Sequence, residues 1–599
     1  MNLYDKSSLI LVPGAVKDGK VYSQRPENGD GDFTFSRGSN LAATRVDENG
    51  LIEKGRENLL LQSNQFDNSY WNKTASTIST GQADPNGGFN AFKIIEDTST
   101  NYHRIFGSYT MVSGNVYATS VTAKAAGRNF ITLSNNVSSG TCIFNLTNGS
   151  ITTQESNVIS ASTTSLGGGW YRCEMIAQGD KSGSYNVYIG ADNNGIVGTY
   201  LGDGTSGVLI YQSQLELGLV ATDYIETTTT TAVSGITEDL PRLDYSGGAS
   251  CPSLLLEPTR TNLITQSEYF GSSDWTKTRA SVTANAATSP DGYTNADKLV
   301  EDTTASNNHF LQLGFITVTA TNYTATIYAK AAERSQVRIL LSNYWATGND
   351  AIYDLSAGTV LSVGAGAVSA SITDVGNGWY RCALVSGTAT AGPNGKFDVR
   401  PAVAGSDTYT GDGTSGIYIW GAQLEEGSYP SSYIPTYGSA VTRLVDVSYV
   451  SSATSLIGQT QGTLFVEGRI DGQESYNRRL LTISDGGTAN KIEIFNPSNS
   501  LKIRTVGTVS TVTQFDIESG SILTIGDTFK VAVAYAQNDF VMYINGTQIG
   551  TDSSGNIPTT NKINLGRGDN NFNAESPINQ ALLFKTRLTN GELAALTTL

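Results

Sequence analysis

The sequence predicts an all-β protein of tandem β-sandwich, or jelly-roll, domains with a further jelly roll at its C-terminal end. The first observation is a composition of 64 glycines and 29 tyrosines among 599 residues, which suits short strands joined by tight turns. The second is the alternation of apolar and polar residues in segments such as "NVYATSVTAKA" and "YNVYIGA", which is typical of half-buried strands. The third is an internal repeat that spans most of the chain.

The repeat is the duplication of a whole domain. "GWYRC" at 169–173 recurs at 378–382, and "GDGTSG" at 202–207 recurs at 411–416. The spacing between matched segments changes little along the chain, so small loop insertions account for the differences. We therefore predict two copies of one sandwich, copy one at residues 58–235 and copy two at residues 262–445. A linker is predicted between them at 236–261, and residues 1–57 are predicted to form a docking or leader segment.

The C-terminal part, residues 456–599, has no counterpart in the repeat. "FKVAVAY" and "DFVMYINGTQIG" are predicted to pair as a hairpin, because only three residues separate them. Thr589 and Glu592 have the spacing of a capping box before a short terminal helix. With the closing "INQALLFKTRLTNGELAAL", this part resembles laminin-G-like, concanavalin-type jelly rolls, which implies a domain that binds glycans or proteins.

Charge and apolar content exclude some classes of function. The net charge is −16 and the pI about 4.7, so a broad nucleic-acid-binding surface is not expected. No segment has the roughly 18–20 consecutive apolar residues that cross a bilayer, so no membrane insertion is expected. The apolar run from Leu9 to Val12 is too short for a secretory signal, which predicts synthesis in the cytoplasm without export. The four cysteines are expected to be free and mostly buried thiols.

The two copies and their flanks also resemble proteins of bacteriophage particles. "ADKLVEDT", "YAKAAER" and "GDGTSGIYIWGAQLEEGSYPSSYIPT" are similar to the carbohydrate-binding-module-like sandwiches of phage head and tail fibres. The flanks at 33–53 and 240–263 are similar to the leader and linker that precede such modules. In those proteins the two flanks adjoin, so copy one is interpreted as an insertion between them.

The phage resemblance implies a location and a set of partners. It implies a virion structural protein, a head or tail fibre, that is made in the host cytoplasm without a signal peptide. Its partners would be other virion proteins and host surface glycans. It would be a homo-oligomer, with a trimer favoured, and residues 1–57 would dock on or complete a neighbouring sandwich.

Two other functions stay open: a fibre-borne polysaccharide depolymerase, and a purely structural capsid or tail decoration protein without glycan binding. We expect no enzyme, because no acidic pair stands apart from the turn acids and no nucleotide-binding or nucleophile motif is present. The two histidines, His103 and His309, occupy equivalent positions after acidic pairs, which allows a metal or acid–base site. The favoured interpretation is a structural hydrogen bond at the start of a strand.

Two sets of candidate binding residues remain. The glycines and aspartates of "GDGTSG" indicate a structural turn, with calcium binding through Asp203 and Asp412 as the alternative and no other cofactor expected. Tyr344 and Trp345 lie in "SNYWATGND", a polar loop whose counterpart in copy one lacks both aromatic residues. We predict that they form an exposed platform for sugar rings in copy two only, or that they contact a neighbouring subunit. The tryptophans that match between the copies are expected in the cores.

Overall fold

The computed structural model describes residues 3–39, 41–135, 137–138, 140–568 and 577–599, and it consists almost entirely of antiparallel strands. The N-terminal segment contains α1 (Leu3–Lys6), β1 (Leu9–Leu11), β2 (Val16–Lys17), β3 (Lys20–Val21), β4 (Phe33–Ser36), β5 (Thr44–Val46), β6 (Ile52–Lys54) and β7 (Arg56–Asn58). The strands of copy one are β8 (Asn72–Thr74), β9 (Ser76–Gln82), β10 (Ala91–Glu96), β11 (Thr100–Asn101), β12 (His103–Met111), β13 (Val116–Ala126), β14 (Phe130–Ser134), β15 (Thr141–Asn145), β16 (Ile151–Gln154), β17 (Val158–Gly167), β18 (Trp170–Gln178), β19 (Gly183–Asp192), β20 (Tyr200–Leu201), β21 (Gly207–Leu217) and β22 (Ala232–Ser234).

Two strands, β23 (Arg242–Asp244) and β24 (Ser253–Leu255), lie between the copies. The strands of copy two are β25 (Arg260–Asn262), β26 (Trp275–Thr278), β27 (Ala280–Ala287), β28 (Ala296–Glu301), β29 (Asn307–Asn308), β30 (Phe310–Val318), β31 (Tyr323–Ala331), β32 (Gln336–Ser342), β33 (Asp350–Asp354), β34 (Thr359–Val363), β35 (Ala367–Asp374), β36 (Trp379–Ser386), β37 (Gly392–Ala402), β38 (Thr408–Tyr409), β39 (Gly416–Glu426) and β40 (Val441–Arg443). The C-terminal part contains β41 (Val447–Val450), β42 (Gln461–Arg469), β43 (Arg478–Ser484), β44 (Lys491–Asn496), β45 (Arg504–Val509), β46 (Val512–Glu518), β47 (Thr528–Ala536), β48 (Asp539–Ile544), β49 (Thr547–Asp552), β50 (Lys562–Leu565), β51 (Ile578–Phe584) and α2 (Asn590–Thr597).

The two copies have the same architecture, and the prediction of an all-β fold with tandem sandwiches is confirmed. Each copy packs two six-stranded sheets face to face. In copy one the strand orders are β17-β18-β13-β21-β10-β9 and β16-β15-β14-β19-β12-β8. In copy two they are β35-β36-β31-β39-β28-β27 and β34-β33-β32-β37-β30-β26. The matched tryptophans are buried as predicted, and they are Trp71, Trp170, Trp275 and Trp379.

Strand alternation decides which side chains enter each core. Along β12 the residues Ile105, Gly107 and Tyr109 are buried, whereas Arg104 and Phe106 are only partly covered. Because successive side chains of a strand point to opposite faces, the second set lies on the outer face of the sheet. This outer face carries the candidate site described below.

The third sandwich is assembled from three distant parts of the chain. One sheet has the order β23-β24-β51-β42-β47-β48-β49, with β1 also paired to β51, and the other has the order β2-β3-β4-β41-β50-β43-β44-β45-β46. The segment predicted to dock on or complete a neighbouring sandwich therefore completes the C-terminal sandwich of its own chain. The prediction of a linker at 236–261 is wrong for β23 and β24, because both strands extend this sheet. The predicted capping box of α2 is present, with Thr589 and Glu592 bonded reciprocally.

The two flanks of copy one meet beside this third sandwich. The backbone N–H of Arg37 donates to Asp239 Oδ1 at 2.8 Å, and the Arg242 guanidinium donates to the carbonyl of Thr44 at 3.1 Å. Copy one is thus inserted between flanks that adjoin in space, as predicted from the sequence. Buried ion pairs of Arg37, Arg242 and Arg443 with Asp446 and Glu257 hold the junction together.

All four cysteines are free and three of them are buried, in agreement with the sequence prediction. Burial raises the pKa of the Cys142 thiol to about 12, so this group stays protonated and unreactive at neutral pH. Within the described ranges, both helices are far too short to cross a bilayer.

Candidate functional site

Both histidines act as structural pins at the start of a strand. In copy one, Nδ1 of His103 lies 2.7 Å from the carbonyl oxygen of Ala75, and Nε2 lies 3.2 Å from that of Tyr200. In copy two, Nδ1 of His309 lies 2.7 Å from the carbonyl oxygen of Arg279. Both imidazoles are fully buried, and the carboxylates of Asp97 and Asp302 lie 3.7 and 3.2 Å from the Nδ1 atoms of His103 and His309. The short contacts to backbone carbonyls agree with the favoured structural interpretation.

The repeated "GDGTSG" segments are turns that each copy holds in the same way. The carboxylate of Asp203 accepts the backbone N–H groups of Thr205 and Ser206 at 2.8 and 2.7 Å, and Asp412 accepts those of Thr414 and Ser415 at the same distances. These bonds, with those from the Ser206 hydroxyl, hold the pKa of Asp203 well below its usual range.

Each turn is also tied to a buried carboxylate. Glu96 Oε1 accepts the backbone N–H of Asp203 at 2.7 Å and pairs with Arg128, while Glu301 does the same for Asp412 at 2.9 Å. Because the aspartate and the glutamate at each turn both have hydrogen-bond partners within the fold, the "GDGTSG" segment serves as a structural turn. Calcium binding at Asp203 and Asp412 stays a prediction. Within the described part of the chain, no three His, Cys, Asp or Glu side chains are gathered as a metal site.

The prediction that Tyr344 and Trp345 form an exposed platform is wrong. Trp345 is only 5% exposed and belongs to the core of copy two, where its indole meets the ring of Tyr323 edge to face at 5.6 Å. Its Nε1–H donates to Ser386 Oγ at 3.0 Å. Tyr344 is half-buried and packs against the same core. The loop is polar in composition, but its backbone turns the indole inward, so neither ring forms an exposed face for a sugar.

We predict that Trp345→Phe lowers the free energy of unfolding of copy two by about 1–3 kcal/mol, because it leaves a void and removes the bond to Ser386. Glycan binding by the intact protein is expected to be unchanged. Thermal unfolding and a glycan-binding assay of the same sample measure the two quantities. Reduced binding without a loss of stability would contradict the assignment of Trp345 to the core.

The structure places a different cluster of aromatic residues on the outer face of copy one. A groove of about 180 Å³ lies over β12, β19 and β14, and its walls include Tyr102, Arg104, Thr132, Ser134 and Tyr188. We call it the aromatic groove. Phe106 extends it along the sheet, because Phe106 and Tyr188 are cross-strand partners with ring centroids 5.3 Å apart.

Arg104 is the polar centre of the aromatic groove. Its guanidinium carbon lies 4.0 Å from the ring centroid of Tyr188 and 4.7 Å from that of Tyr102, so the cation is sandwiched between two π faces. Burial lowers the pKa of Arg104, with the two tyrosines opposing this effect. Its Nε is buried and has no hydrogen-bond partner in the part of the chain that the structure describes. The groove therefore combines aromatic surface with an arginine whose Nε–H donor is unpaired among the described residues.

The equivalent face of copy two carries different side chains. The cross-strand pair Phe106–Tyr188 is replaced by Gln312 and Asp398, which are hydrogen-bonded at 2.8 Å. Arg400 occupies the position of Gly190 and pairs with Asp398 at 2.6 Å. The face of copy two thus carries internal ion pairs, whereas on the face of copy one the arginine stacks on two tyrosine rings.

Sequence reasoning missed the aromatic groove. The signal was present in the alternation of "HRIFGSYTM", which places Arg104 and Phe106 on one face of β12. Comparing the repeats residue by residue would have shown that Arg104 and Phe106 correspond to Phe310 and Gln312. The pairing of Phe106 with Tyr188 depends on strand register, which spacing alone does not reveal.

Comparison with known proteins gives only distant structural similarities. No protein family and no curated protein matches the chain. It is similar to the CBM40 of the Ruminococcus gnavus IT-sialidase, at 14% identity over 24% of this chain and 86% of that chain, with a TM-score of 0.21. It is also similar to the CBM22-1–CBM22-2 tandem domain of Paenibacillus barcinonensis Xyn10C, at 12% identity over 65% of this chain and 100% of that chain, with a TM-score of 0.21. A third similarity is to domains LG4-5 of the mouse laminin alpha1 chain, at 10% identity over 47% of this chain and 85% of that chain, with a TM-score of 0.16. Scores this low carry no conclusion about what the chain binds.

Proposed function

We propose that the protein is an adhesive structural component of a bacteriophage particle, in a head or tail fibre, and that copy one binds host-surface carbohydrate through the aromatic groove. The observation that carries the binding part is the arrangement of Arg104 between Tyr102 and Tyr188 with Phe106 beside them. The virion part is supported by the phage-like segments in residues 1–445 and by the flanks that adjoin around copy one.

Carbohydrate is the ligand class that suits the aromatic groove best. The C–H faces of a sugar ring stack on aromatic rings, and its hydroxyl groups need hydrogen-bonding partners beside those rings. The phenol ring of Tyr188 supplies a stacking surface, while Arg104, Thr132 and Ser134 supply the polar groups. His103 and Asp192 also line the groove, but both are buried and contact backbone groups at hydrogen-bond distance. The proposal is therefore for binding without catalysis.

Multivalency would raise the apparent affinity of the protein for a host surface even if each groove binds sugar weakly. A single shallow site of this volume is expected to bind a sugar weakly, because little of the ligand surface is removed from water. When several sites engage a surface together, the apparent affinity rises by about 10²–10⁴ without a new contact. A homo-oligomer such as a trimer, fixed to other virion proteins, would present several grooves to one host surface.

The proposed function predicts a loss of binding from single changes in the aromatic groove. Tyr188→Ala and Arg104→Ala are each expected to weaken binding to glycan arrays and to host cells by about tenfold or more, equivalent to ~1.4 kcal/mol. The cause is the loss of a stacking face in the first variant and of the unpaired Nε–H donor in the second. Gln312→Ala, at the position of copy two that corresponds to Phe106, is the matched control and is expected to bind normally.

Two outcomes would decide against this function. If the intact protein binds neither glycans nor cells although it is present on particles, the decoration alternative replaces adhesion. If incubation shortens a host polysaccharide, the depolymerase alternative replaces binding without catalysis. Thermal unfolding of each variant confirms that a loss of binding does not come from unfolding.

A further inference from the structure

A cavity lies where the N-terminal segment and the two copies meet. It measures about 580 Å³, which is within the usual range for a small-molecule site. Its walls are formed by residues of β6 and β7, the end of β21 with the turn that follows, residues 237–239 and three loops of copy two. It is separate from the aromatic groove, so a ligand here would be additional to the proposed carbohydrate.

The walls of this cavity, which we call the junction cavity, carry far more negative than positive charge. Its lining includes the cations Lys54 and Arg56, and seven acidic side chains: Asp18, Glu57, Glu216, Glu238, Asp239, Glu268 and Asp291. Apolar walls lie between these groups, among them Leu219, Pro435 and Val441. The cavity therefore suits a ligand that combines positive charge with hydrocarbon.

A single lysine holds two of the buried carboxylates. Nζ of Lys54 lies 2.8 Å from Glu268 Oε1 and 2.7 Å from Asp291 Oδ2. Burial favours the neutral amine, but Asp291 and Glu268 outweigh it and raise the pKa of Lys54, so this lysine is charged. Burial also raises the pKa of the Glu268 carboxyl, an effect that Lys54 opposes. A second cation beside this carboxyl would favour its ionised form.

Two buried acceptors of the junction cavity have no donor. Glu268 Oε2 and Asn295 Oδ1 are without a hydrogen-bond partner in the described residues, and both side chains line the cavity at about 1% exposure. Lys54 and Asp291 connect the two side chains, because Lys54 pairs with both carboxylates and the Asn295 amide donates to Asp291 Oδ2 at 3.3 Å. Buried polar atoms are nearly always paired, so two orphan acceptors at one cavity mark a place for a donor.

Copy one shows that the Glu268 carboxylate is not required by the sandwich fold. Alignment of the repeats puts Asn64 at the position of Glu268. In the matching loop of copy one, Asp84 accepts an asparagine amide at 3.1 Å, just as Asp291 accepts that of Asn295, so the role of Asp291 is common to both copies. Glu268 is peculiar to copy two, and a common role in folding does not explain it.

We propose that the junction cavity binds an organic ammonium ion, of the class of alkyl diamines and polyamines. The ammonium group donates to Glu268 Oε2 and Asn295 Oδ1, and its charge favours the ionised form of the Glu268 carboxyl. The methylene chain lies against the apolar walls. A second ammonium group is placed near the acids of the outer wall, such as Glu57 and Glu238. A bare metal ion fits less well, because the two unpaired oxygens comprise only one carboxylate.

Calorimetric titration of the full chain with 1,4-diaminobutane tests this proposal. We expect one diamine per chain, and no heat of binding with 1-butanol, which has the same carbon chain without an ammonium group. Glu268→Gln is expected to weaken binding at least tenfold, because it removes the charge and half of the acceptor capacity. Glu333→Gln removes one exposed acid elsewhere on copy two and is expected to leave the affinity unchanged.

A second variant keeps the proposal falsifiable if Glu268→Gln does not fold. Asn295→Asp adds a carboxylate at the second orphan acceptor and is expected to tighten diamine binding severalfold. Absence of binding by the wild-type chain at millimolar diamine would overturn the proposal, as would equal affinity in Glu268→Gln and the wild type. Binding of Ca²⁺ that competes with the diamine at this cavity would also overturn it, in favour of a metal site. None of these results bears on glycan binding by copy one.

Discussion

A fragment comprising residues 456–599 is expected not to fold into a stable sandwich when it is produced without the rest of the chain. Its core lacks five side chains from the N-terminal segment, all of them almost completely buried: Leu9, Leu11, Val21, Phe33 and Phe35. Burying each large apolar side chain contributes about 1.5–3 kcal/mol, so the five together contribute roughly 8–15 kcal/mol. That is comparable with the whole stability of a typical domain, about 5–15 kcal/mol.

The fragment also loses backbone pairing. In the complete protein, Leu9–Leu11 pair with Ala581–Leu583, and Ser448–Val450 of β41 pair with Ile563–Leu565 of β50. Without these strands β51 becomes an exposed apolar edge, which favours aggregation. We therefore expect the fragment to be insoluble, or to show no cooperative thermal transition by circular dichroism.

Copy one provides the matched control for this fragment. Residues 58–235 contain both six-stranded sheets of copy one without a strand from elsewhere. This fragment is expected to be soluble and to unfold in one sharp transition. A sharp transition of residues 456–599 near that of the intact protein would show that the N-terminal strands only decorate an independent domain.

The contrast between the two fragments shows what the sequence could and could not predict. Strand alternation and tight turns are local patterns, and the duplication is visible by direct comparison, so both sandwiches were predictable. The run from Leu9 to Val12 was visible too, but only as an apolar run. Nothing local indicates that its partner lies at Ala581–Leu583, because such pairing is set by the tertiary fold.

The candidate sites also differ in whether local sequence could predict them. The structural role of His103 and of the "GDGTSG" turns was predictable, because short-range hydrogen bonds follow from residue type and position. The loop of Trp345 was not, because its polar composition says nothing of which way one indole turns. The junction cavity could not be predicted from the sequence either, because Lys54, Glu216 and Glu268 come together only when separate parts of the chain meet.

A second large loss of stability is expected when the buried ion network that joins the flanks of copy one to the C-terminal sandwich is disrupted. Asp446 is completely buried and accepts hydrogen bonds from the guanidinium of Arg37 at 3.2 Å and from the backbone N–H of Glu257 at 2.8 Å. It also pairs with Arg242, and Glu257 pairs in turn with Arg242 at 2.6 Å and Arg443 at 3.0 Å. Three arginines from three parts of the chain thus share two carboxylates.

Asp446→Ala is expected to lower the free energy of unfolding by about 3–5 kcal/mol, because it leaves buried arginines without a counter-charge. Chemical denaturation measures this loss. Asp516→Ala is the matched control: it removes a carboxylate from an exposed pair with Arg504 on β45, where the expected cost is below about 1 kcal/mol. Equal effects of the two substitutions would contradict a role for the network in joining the flanks to the C-terminal sandwich.

The same network predicts how stability changes in acid. Burial favours the neutral acid of Glu257, but Arg443 and Arg242 outweigh it and hold its pKa well below the usual range. A carboxyl whose pKa is lower in the folded than in the unfolded chain stabilises the fold above the unfolded pKa, about 4.3. That contribution is lost as the pH falls further towards the folded pKa. Unfolding at pH 7, 4 and 3 should therefore show a steeper loss of stability in the wild type than in Glu257→Gln, whose amide does not titrate. Parallel pH profiles would mean that Glu257 is not held ionised by the arginines.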